Sequence, residues 1–277
     1  MRDNTRRINP AAYRPPSPRS EPSQQEKNVA VPSFYVDLPS KGYFYPKDHP
    51  LHNKTKIEIK EMTAREEEIL SSQEYSKAGT AIDKFLDSVI VNLDIDPSSI
   101  LLADRAAVIY ESRKMAYGDA LQLENYECPE CNTKQKIKTR ASFIDVEKDR
   151  NQFKDFVIIN EDGKLEFTLS NGSVLEFLPV NISVEDQIVR YISDNPETSF
   201  IHLLLKTTIY SYDGDTDKDA IKEKLLDIPA KDSRRIRQVY QQMLPEAKAE
   251  VNIKCSKCSH VNTTEVPLNA DWFWLVD

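Results

Sequence analysis

"YECPECNTKQKIKTR" (residues 126–140) and "IKCSKCSHVNTTEV" (residues 253–266) each carry one Cys-x-x-Cys pair, Cys128/Cys131 and Cys255/Cys258, and the chain has no other cysteine. Two such pairs in a reducing compartment point to one tetrahedral zinc held by four thiolates. A secreted disulfide scaffold would be shorter and denser in cysteine. A redox Cys-x-x-Cys would sit singly beside a thioredoxin-like βαβ unit, and no such pattern is present. Period-two segments flank both pairs: "ALQLENYE" and "KQKIKTR" around the first, "AEVNIK" and "HVNTTEVPL" around the second. They read as strands, so each pair tips a hairpin and the two hairpins together make a zinc ribbon. Asn132 and Ser259 follow the second cysteines, where the chain has to turn. Asn tolerates the left-handed conformation well, and Ser does so less comfortably. His260 is close enough to be a substitute ligand, but four cysteines already complete a site. A closed four-thiolate site leaves no open coordination position, so the expected Zn2+ is structural rather than catalytic.

The whole chain is consistent with this. At 277 residues it can build one large core or two modest ones, and its net charge of −8 argues against a general nucleic-acid binder. No apolar run approaches a membrane span, and "MRDNTRRINP" lacks the apolar segment of a secretory signal. The chain therefore reads as soluble and retained where it is made. Residues 1–31, rich in Pro, Arg, Ser and Gln, read as a disordered arm.

Outward from the ribbon, "SFYVDLPSKGYFYPKDHPL" crowds Tyr35, Tyr43, Phe44 and Tyr45 around a turn at Pro39 and Gly42. "TKIEIKEM" alternates as a strand. "TAREEEIL" opens with a capping box of Thr63 and Glu66, and its three glutamates read as a solvated first turn. Ile82, Phe85, Leu86, Val89, Ile90 and Leu93 fall at core-helix spacing. Asp96 and Pro97 start a further helix that ends at Gly118 and leads into the first knuckle.

Between the knuckles, residues 156–180 predict a three-stranded meander with Asn171-Gly172 as a type I′ turn. Helices are expected at "SVEDQIVRYISD", capped by Ser183, and at "NPETSFIHLLLKTTIYSY", "DKDAIKEKLLDI" and "DSRRIRQVYQQML". "DGDTDKD" resembles the start of a calcium loop, but Lys218 and Lys224 stand where glycine and glutamate are needed. Arg234, Arg235 and Arg237 read as positive charge at a helix start, where it is unfavourable. The expected class is α+β. A helical core with the split zinc ribbon occupies residues 32–140 plus 250–277, and residues 141–249 form an inserted β-meander and helical subdomain.

Gly-rich phosphate loops, GxSxG and HExxH are absent, and the four histidines have no triad or ligand spacing. No catalytic site is expected, and binding to other macromolecules is the natural reading. Trp272, Phe273 and Trp274 at the chain end, with Tyr43, Phe44 and Tyr45, are candidate partner-interface residues. An alternative is a nucleic-acid-binding ribbon that uses Lys134, Lys136, Lys138 and Arg140, although aromatics for base stacking are not interleaved with them.

The ordered combination "LPSKGYFYP", "IEIKEMTAREEEIL" and "DRAAVIYESRKMAYGD" leading into "YECPEC" resembles baseplate proteins of T-even-type contractile-tailed bacteriophages. The closing "CSKCSHVNTTEVPLNADWFW" is similar to that family's tail. The likeness is strongest to hub-subunit and hub-assembly members and covers residues 33–140 and 250–277. Ser259 departs from the glycine common in that family's knuckles. The resemblance implies a structural or assembly role in the tail baseplate of the virion. It also implies other baseplate and tail proteins as partners in a hetero-oligomer, and assembly in the host bacterial cytoplasm.

Overall fold

"KIEIK" does what a period of two dictates: Ile57 and Ile59 are buried while the flanking lysines and Glu58 stay at the surface. The computed structural model describes residues 31–146, 148, 150–194, 196–197 and 207–275. Pro32–Asp277 forms one compact unit. The expected disordered arm lies outside the described residues except for Val31.

The class is mixed α/β with antiparallel sheets. Strand β1 (Ser33–Asp37) pairs with β2 (Lys56–Lys60). Strands β3 (Ala120–Glu127), β4 (Lys134–Val146), β9 (Glu246–Lys254) and β10 (Val261–Val266) form one sheet in the order β10-β9-β4-β3. Strands β5 (Val157–Ile159), β6 (Leu165–Thr168), β7 (Val174–Phe177) and β8 (Ile209–Tyr212) form another in simple order. Seven α-helices lie among the described residues: α1 (Ala64–Ser71), α2 (Gln73–Ala78), α3 (Ala81–Val89), α4 (Leu102–Tyr117), α5 (Ile182–Asp194), α6 (Lys218–Leu226) and α7 (Ala230–Met243).

The two cysteine hairpins, β3–β4 and β9–β10, are joined through β4 and β9. These pair antiparallel from Ala141↔Val251 to Val146↔Glu246. The joint runs past the positions 140 and 250 read from sequence, because both strands keep their backbone groups paired until the chain turns away. Helix α4 packs on β9, and the sheet's inner residues Leu121, Ala141, Ala249, Val251 and Ile253 are all buried.

Several local expectations change. The Asn171-Gly172 turn is not type I′, since Gly172 has φ 89° while Asn171 is not at positive φ. Gly172 N–H donates to the Leu169 carbonyl, and Leu169 N–H donates to the Ser173 carbonyl. This is a three-residue hairpin in which the glycine alone takes the left-handed place. The preceding hairpin repeats it at Gly163 (φ 74°), where an added Cβ would lie 2.4 Å from the Phe44 carbonyl oxygen. There the tip of β5–β6 rests on the backbone of the aromatic turn.

The expected helix "NPETSFIHLLLKTTIYSY" ends in a strand: Ile209–Tyr212 is β8, and it completes the sheet beside β7. A four-residue strand behind an apolar run gives no period to read. Much of that segment, 198–206, lies outside the described residues. Asn181 rather than Ser183 caps α5, its side-chain oxygen accepting from Val184 N–H at 3.1 Å. Leu93 is not core but 90 % exposed, because α3 stops at Val89 and the chain turns. Asp96 and Pro97 open a short 3-10 turn, and α4 itself begins at Leu102. Helix α7 begins at Ala230, so Arg234, Arg235 and Arg237 fall beyond its first turn. Buried Asp232 stands in that turn instead, accepting from the Ser170 backbone and hydroxyl.

The α1 capping box is present, and of its three glutamates Glu68 is exposed and Glu67 partly so, but Glu66 is not solvated. Glu66 is fully buried and accepts from the Thr63 backbone (2.8 Å), the Thr63 hydroxyl (2.6 Å) and Ser88 (2.5 Å), with Lys60 at 3.0 Å. Burial pushes this carboxyl up, yet the Ser88 and Thr63 donors and Lys60 outweigh it and hold it at about 2.

Candidate metal centre

Each knuckle is fixed by the same two backbone bonds. Cys128 N–H donates to the Thr133 carbonyl (3.1 Å) and Asn132 N–H to the Cys128 carbonyl (2.9 Å). Cys255 N–H donates to the His260 carbonyl (2.8 Å) and Ser259 N–H to that of Cys255 (3.0 Å). Asn132 (φ 53°) and Ser259 (φ 60°) take the left-handed conformation that their positions after Cys131 and Cys258 predict. Pairing of β4 with β9 then sets the two knuckles face to face.

The four Sγ atoms of Cys128, Cys131, Cys255 and Cys258 lie within 4.8 Å of one another. Cys128 Sγ is 3.7 Å from Cys258 Sγ, and Cys131 Sγ is 3.7 Å from Cys255 Sγ. A tetrahedron with metal–sulfur bonds of about 2.3 Å has edges of about 3.8 Å. A disulfide needs about 2.05 Å. The spacing therefore fits a shared divalent ion.

The surroundings shift three of the four thiols, and not all in one direction. The Cys258 backbone N–H, with Gln135 helping, draws the Cys255 thiol down to about 6 against the burial that raises it. Thr133 draws Cys131 down. For Cys258 the His260 N–H also acts downward, but burial and the three neighbouring sulfurs push it up to about 12. Four thiolates this close repel one another, and a bound cation removes that repulsion.

Gln135, which no sequence motif marks, ties the hairpins together. Its Nε2 donates to Cys255 Sγ (3.3 Å), and its Oε1 accepts from the Ser256 N–H (3.0 Å) and hydroxyl (2.7 Å). Its only signal in sequence is an inward position on β4. The His260 side chain is not in the sulfur cluster, and among the described residues that cluster is the one group with metal-ligand spacing. Asp215 of the calcium-like stretch pairs with Lys224 at 3.2 Å.

The aromatic candidates divide by burial. Phe44, Tyr45, Trp272 and Phe273 are inside the unit, whereas Tyr43 and Trp274 are 45 % and 41 % exposed. Two buried polar residues of α4, to which a reading of the sequence gives no role of their own, account for this. Asp104 accepts from Ser40 N–H (2.8 Å), Ser40 Oγ (2.5 Å) and Tyr45 Oη (2.7 Å), which pins the aromatic turn. Burial raises its carboxyl. Arg113 donates to the carbonyls of Trp272, Gly118, Ala120 and Leu275, which pins the chain end. Phe273 then meets Phe85 at 4.9 Å.

The basic ladder of β4 is charge-matched. Lys134, Lys136, Lys138 and Arg140 are all exposed on one face. Lys134 faces Glu127 at 3.8 Å, Lys136 faces Glu124 at 3.0 Å and Arg140 faces Asp119 at 3.9 Å. A phosphate backbone would have to displace these acids, so the nucleic-acid alternative is not favoured. No described helix is long and apolar enough to cross a membrane.

A family model described as T4 bacteriophage base plate protein matches residues 35–274. The match spans both knuckles and everything between them. No curated protein and no solved structure matches.

Proposed function

The chain belongs to the T4 bacteriophage base plate protein family, and on that basis we propose that it is a structural or assembly component of the baseplate hub region. It works there by protein–protein contacts and without catalysis of its own. The family match along residues 35–274 carries this reading. Other baseplate and tail proteins are its partners in a hetero-oligomer built in the host cytoplasm and carried into the virion tail.

Within that role, Cys128, Cys131, Cys255 and Cys258 hold one structural Zn2+. The support is the sulfur cluster with cross-hairpin spacings of 3.7 Å. When bound, the metal closes the chain between its two hairpins into a zinc ribbon. Segment 141–249 is then an insertion, and its ends contribute to β4 and β9. Gln135 and the knuckle amides hold the sulfurs in place for that ion. Of the aromatic interface candidates, Tyr43 and Trp274 are the ones exposed enough to meet a neighbour.

The test is quantitative mass spectrometry of purified, mature particles of a phage encoding this chain, alongside infected-cell lysate. A fixed ratio to other tail proteins in particles identifies a baseplate component. Presence only in lysate, bound to hub proteins, identifies an assembly factor that leaves before completion. Association with neither removes the baseplate role. Metal analysis of the reduced protein tests the ion separately, and the expected content is one zinc per chain.

A further inference from the structure

The ribbon sheet has two edges, and they differ. At the β3 edge the register shifts between Leu123 and Tyr126, and Gln122 N–H donates outward to the Leu275 carbonyl at 3.4 Å. A bulge and a covering chain are standard protections against pairing with another protein. At the other edge β10, "VNTTEV", has no bulge, no proline and no lysine or arginine, and it is the last strand in the order.

The backbone phase of β10 follows from its knuckle. The bond from Cys255 N–H to the His260 carbonyl makes that pair a hydrogen-bonded one. Alternation along the ladder makes Ile253/Asn262, Val251/Thr264 and Ala249/Val266 hydrogen-bonded too. The N–H and C=O groups of Val261, Thr263 and Glu265 therefore point away from β9, along the open edge.

Thr263 Oγ1 donates to Asn252 Oδ1 at 2.6 Å, but the side chains of Glu265 and Val261 are incomplete. Glu265 sits directly across from Glu250, a like-charge pair that costs stability. Lys248 feels both carboxylates but is bonded to Glu250, at 2.8 Å. Among the described residues no hydrogen bond or ion pair reaches the Glu265 carboxylate. Val261 is 58 % exposed. At its Val266 end the edge adjoins a cavity of about 200 Å³ whose lining mixes Ile109, Val266 and Leu268 with Arg105, Lys248 and Glu265 itself.

We propose that the β10 edge accepts an extended segment of a partner protein as a fifth, antiparallel strand. The segment places a basic side chain opposite Glu265, a β-branched one opposite Thr263 and an apolar one opposite Val261. Read from its N-terminus, it runs basic-x-β-branched-x-apolar. Main-chain bonds to Val261, Thr263 and Glu265 supply affinity, and the cation beside Glu265 supplies register. A second copy of this chain fits less well. Symmetric pairing about Thr263 sets each Glu265 against the other copy's Val261 and leaves both carboxylates without a cation. The added strand needs the backbone of β10 and the Glu265 carboxylate, and no baseplate neighbour.

The test uses the full chain in reducing, zinc-replete buffer and a labelled peptide with arginine, threonine and valine at alternate positions, spaced by serines. Fluorescence anisotropy should show saturable binding, and hydrogen exchange should slow at the amides of Val261, Thr263 and Glu265. Glu265→Lys, or glutamate in place of the peptide's arginine, should weaken binding at least about fivefold. Methylating the peptide's edge-facing amides should abolish it. Thr263→Pro removes an outward N–H and should do the same, with retained zinc content showing that the ribbon is still folded. Absence of binding at millimolar peptide overturns the proposal, as does equal binding of the methylated peptide. Concentration-dependent self-association of the wild type that Thr263→Pro removes also overturns it, because the edge then belongs to a second copy.

Discussion

Arg113 and Trp272 are joined twice: Arg113 Nε donates to the Trp272 carbonyl at 2.9 Å, and its guanidinium carbon lies 4.6 Å from the centre of the indole ring. The same side chain is fully buried and bonds three further carbonyls, at Gly118, Ala120 and Leu275. Among the described residues no carboxylate is hydrogen-bonded to it; four carbonyls and one aromatic face surround the charge, and the Asp119 carboxylate acts on it from further away. One arginine therefore holds the end of α4, the start of β3 and the last turn of the chain together.

Arg113→Met keeps the bulk and removes every donor. The four carbonyls lose their partner in a buried setting, and the expected loss is about 3–5 kcal/mol. Urea unfolding measures it. The chain's two tryptophans, Trp272 and Trp274, give a fluorescence readout, which should shift to the red as the chain end loosens. Stability within about 1 kcal/mol of wild type would show that the clamp is not what holds that segment.

Cys255→Ser with Cys258→Ser removes two of the four sulfurs. Zinc content should fall from one per chain to none, and protease cleavage should rise at residues 120–140 as well as at the C-terminus. Cleavage at the first hairpin is the informative part, because that hairpin is untouched in sequence. Unchanged zinc content in the double variant would refute a shared site.

Ser259 holds φ 60° in the second knuckle, a conformation that costs an L-residue about 1 kcal/mol. Ser259→Gly should stabilise the holo protein by about 0.5–1 kcal/mol, and Ser259→Val should destabilise it by more. Thermal unfolding of the zinc-loaded forms ranks the three, and an order with glycine lowest would contradict the strain.

The Glu66 carboxyl is held at about 2, against 4.5 for the free side chain. Its folded-state value is depressed, so its contribution to stability is present in full above the unfolded pKa. That contribution is lost as pH falls from about 5 towards 2, and it amounts to about 3 kcal/mol. Ser88→Ala removes one donor and should flatten that part of the stability profile. Urea midpoints between about pH 2.5 and 6 provide the measurement, and identical slopes for both proteins would exclude Glu66 as the group responsible.

Gly163 lets the β5–β6 tip approach the aromatic turn. Gly163→Ala brings a Cβ to 2.4 Å from the Phe44 carbonyl oxygen at a φ of 74°. The expected cost is about 2–4 kcal/mol, because backbone has to move on both sides. Gly172→Ala shares the positive φ but meets nothing within 4 Å, and should cost about 1 kcal/mol. Chemical denaturation compares them, and equal losses would rule out the contact with Phe44.

The elements with local causes are legible in the amino-acid sequence alone. The two Cys-x-x-Cys tips, the alternating strands beside them, the left-handed residues Asn132 and Ser259 and the Thr63–Glu66 box all follow from neighbours a few positions away. The order of motifs around the knuckles likewise points to the family. Which surfaces lie inside is a property of the folded chain. Phe44, Tyr45, Trp272 and Phe273 can be read either as docking residues or as packing on their own domain, because an irregular aromatic run has no period to say which side faces the core. Their burial depends on Asp104 and Arg113, polar residues on one helix that reach Ser40 and Tyr45 on one side and Trp272 and Leu275 on the other, all far away in the chain. Glu66 reads as solvated for the same reason: its partners Ser88 and Lys60 belong to other elements. The pairing of β4 with β9, which brings the four sulfurs together and leaves β10 at an edge, joins segments separated by the whole of 147–245. No local period encodes such a pairing; it is fixed by backbone hydrogen bonds and burial that exist only once the chain has folded.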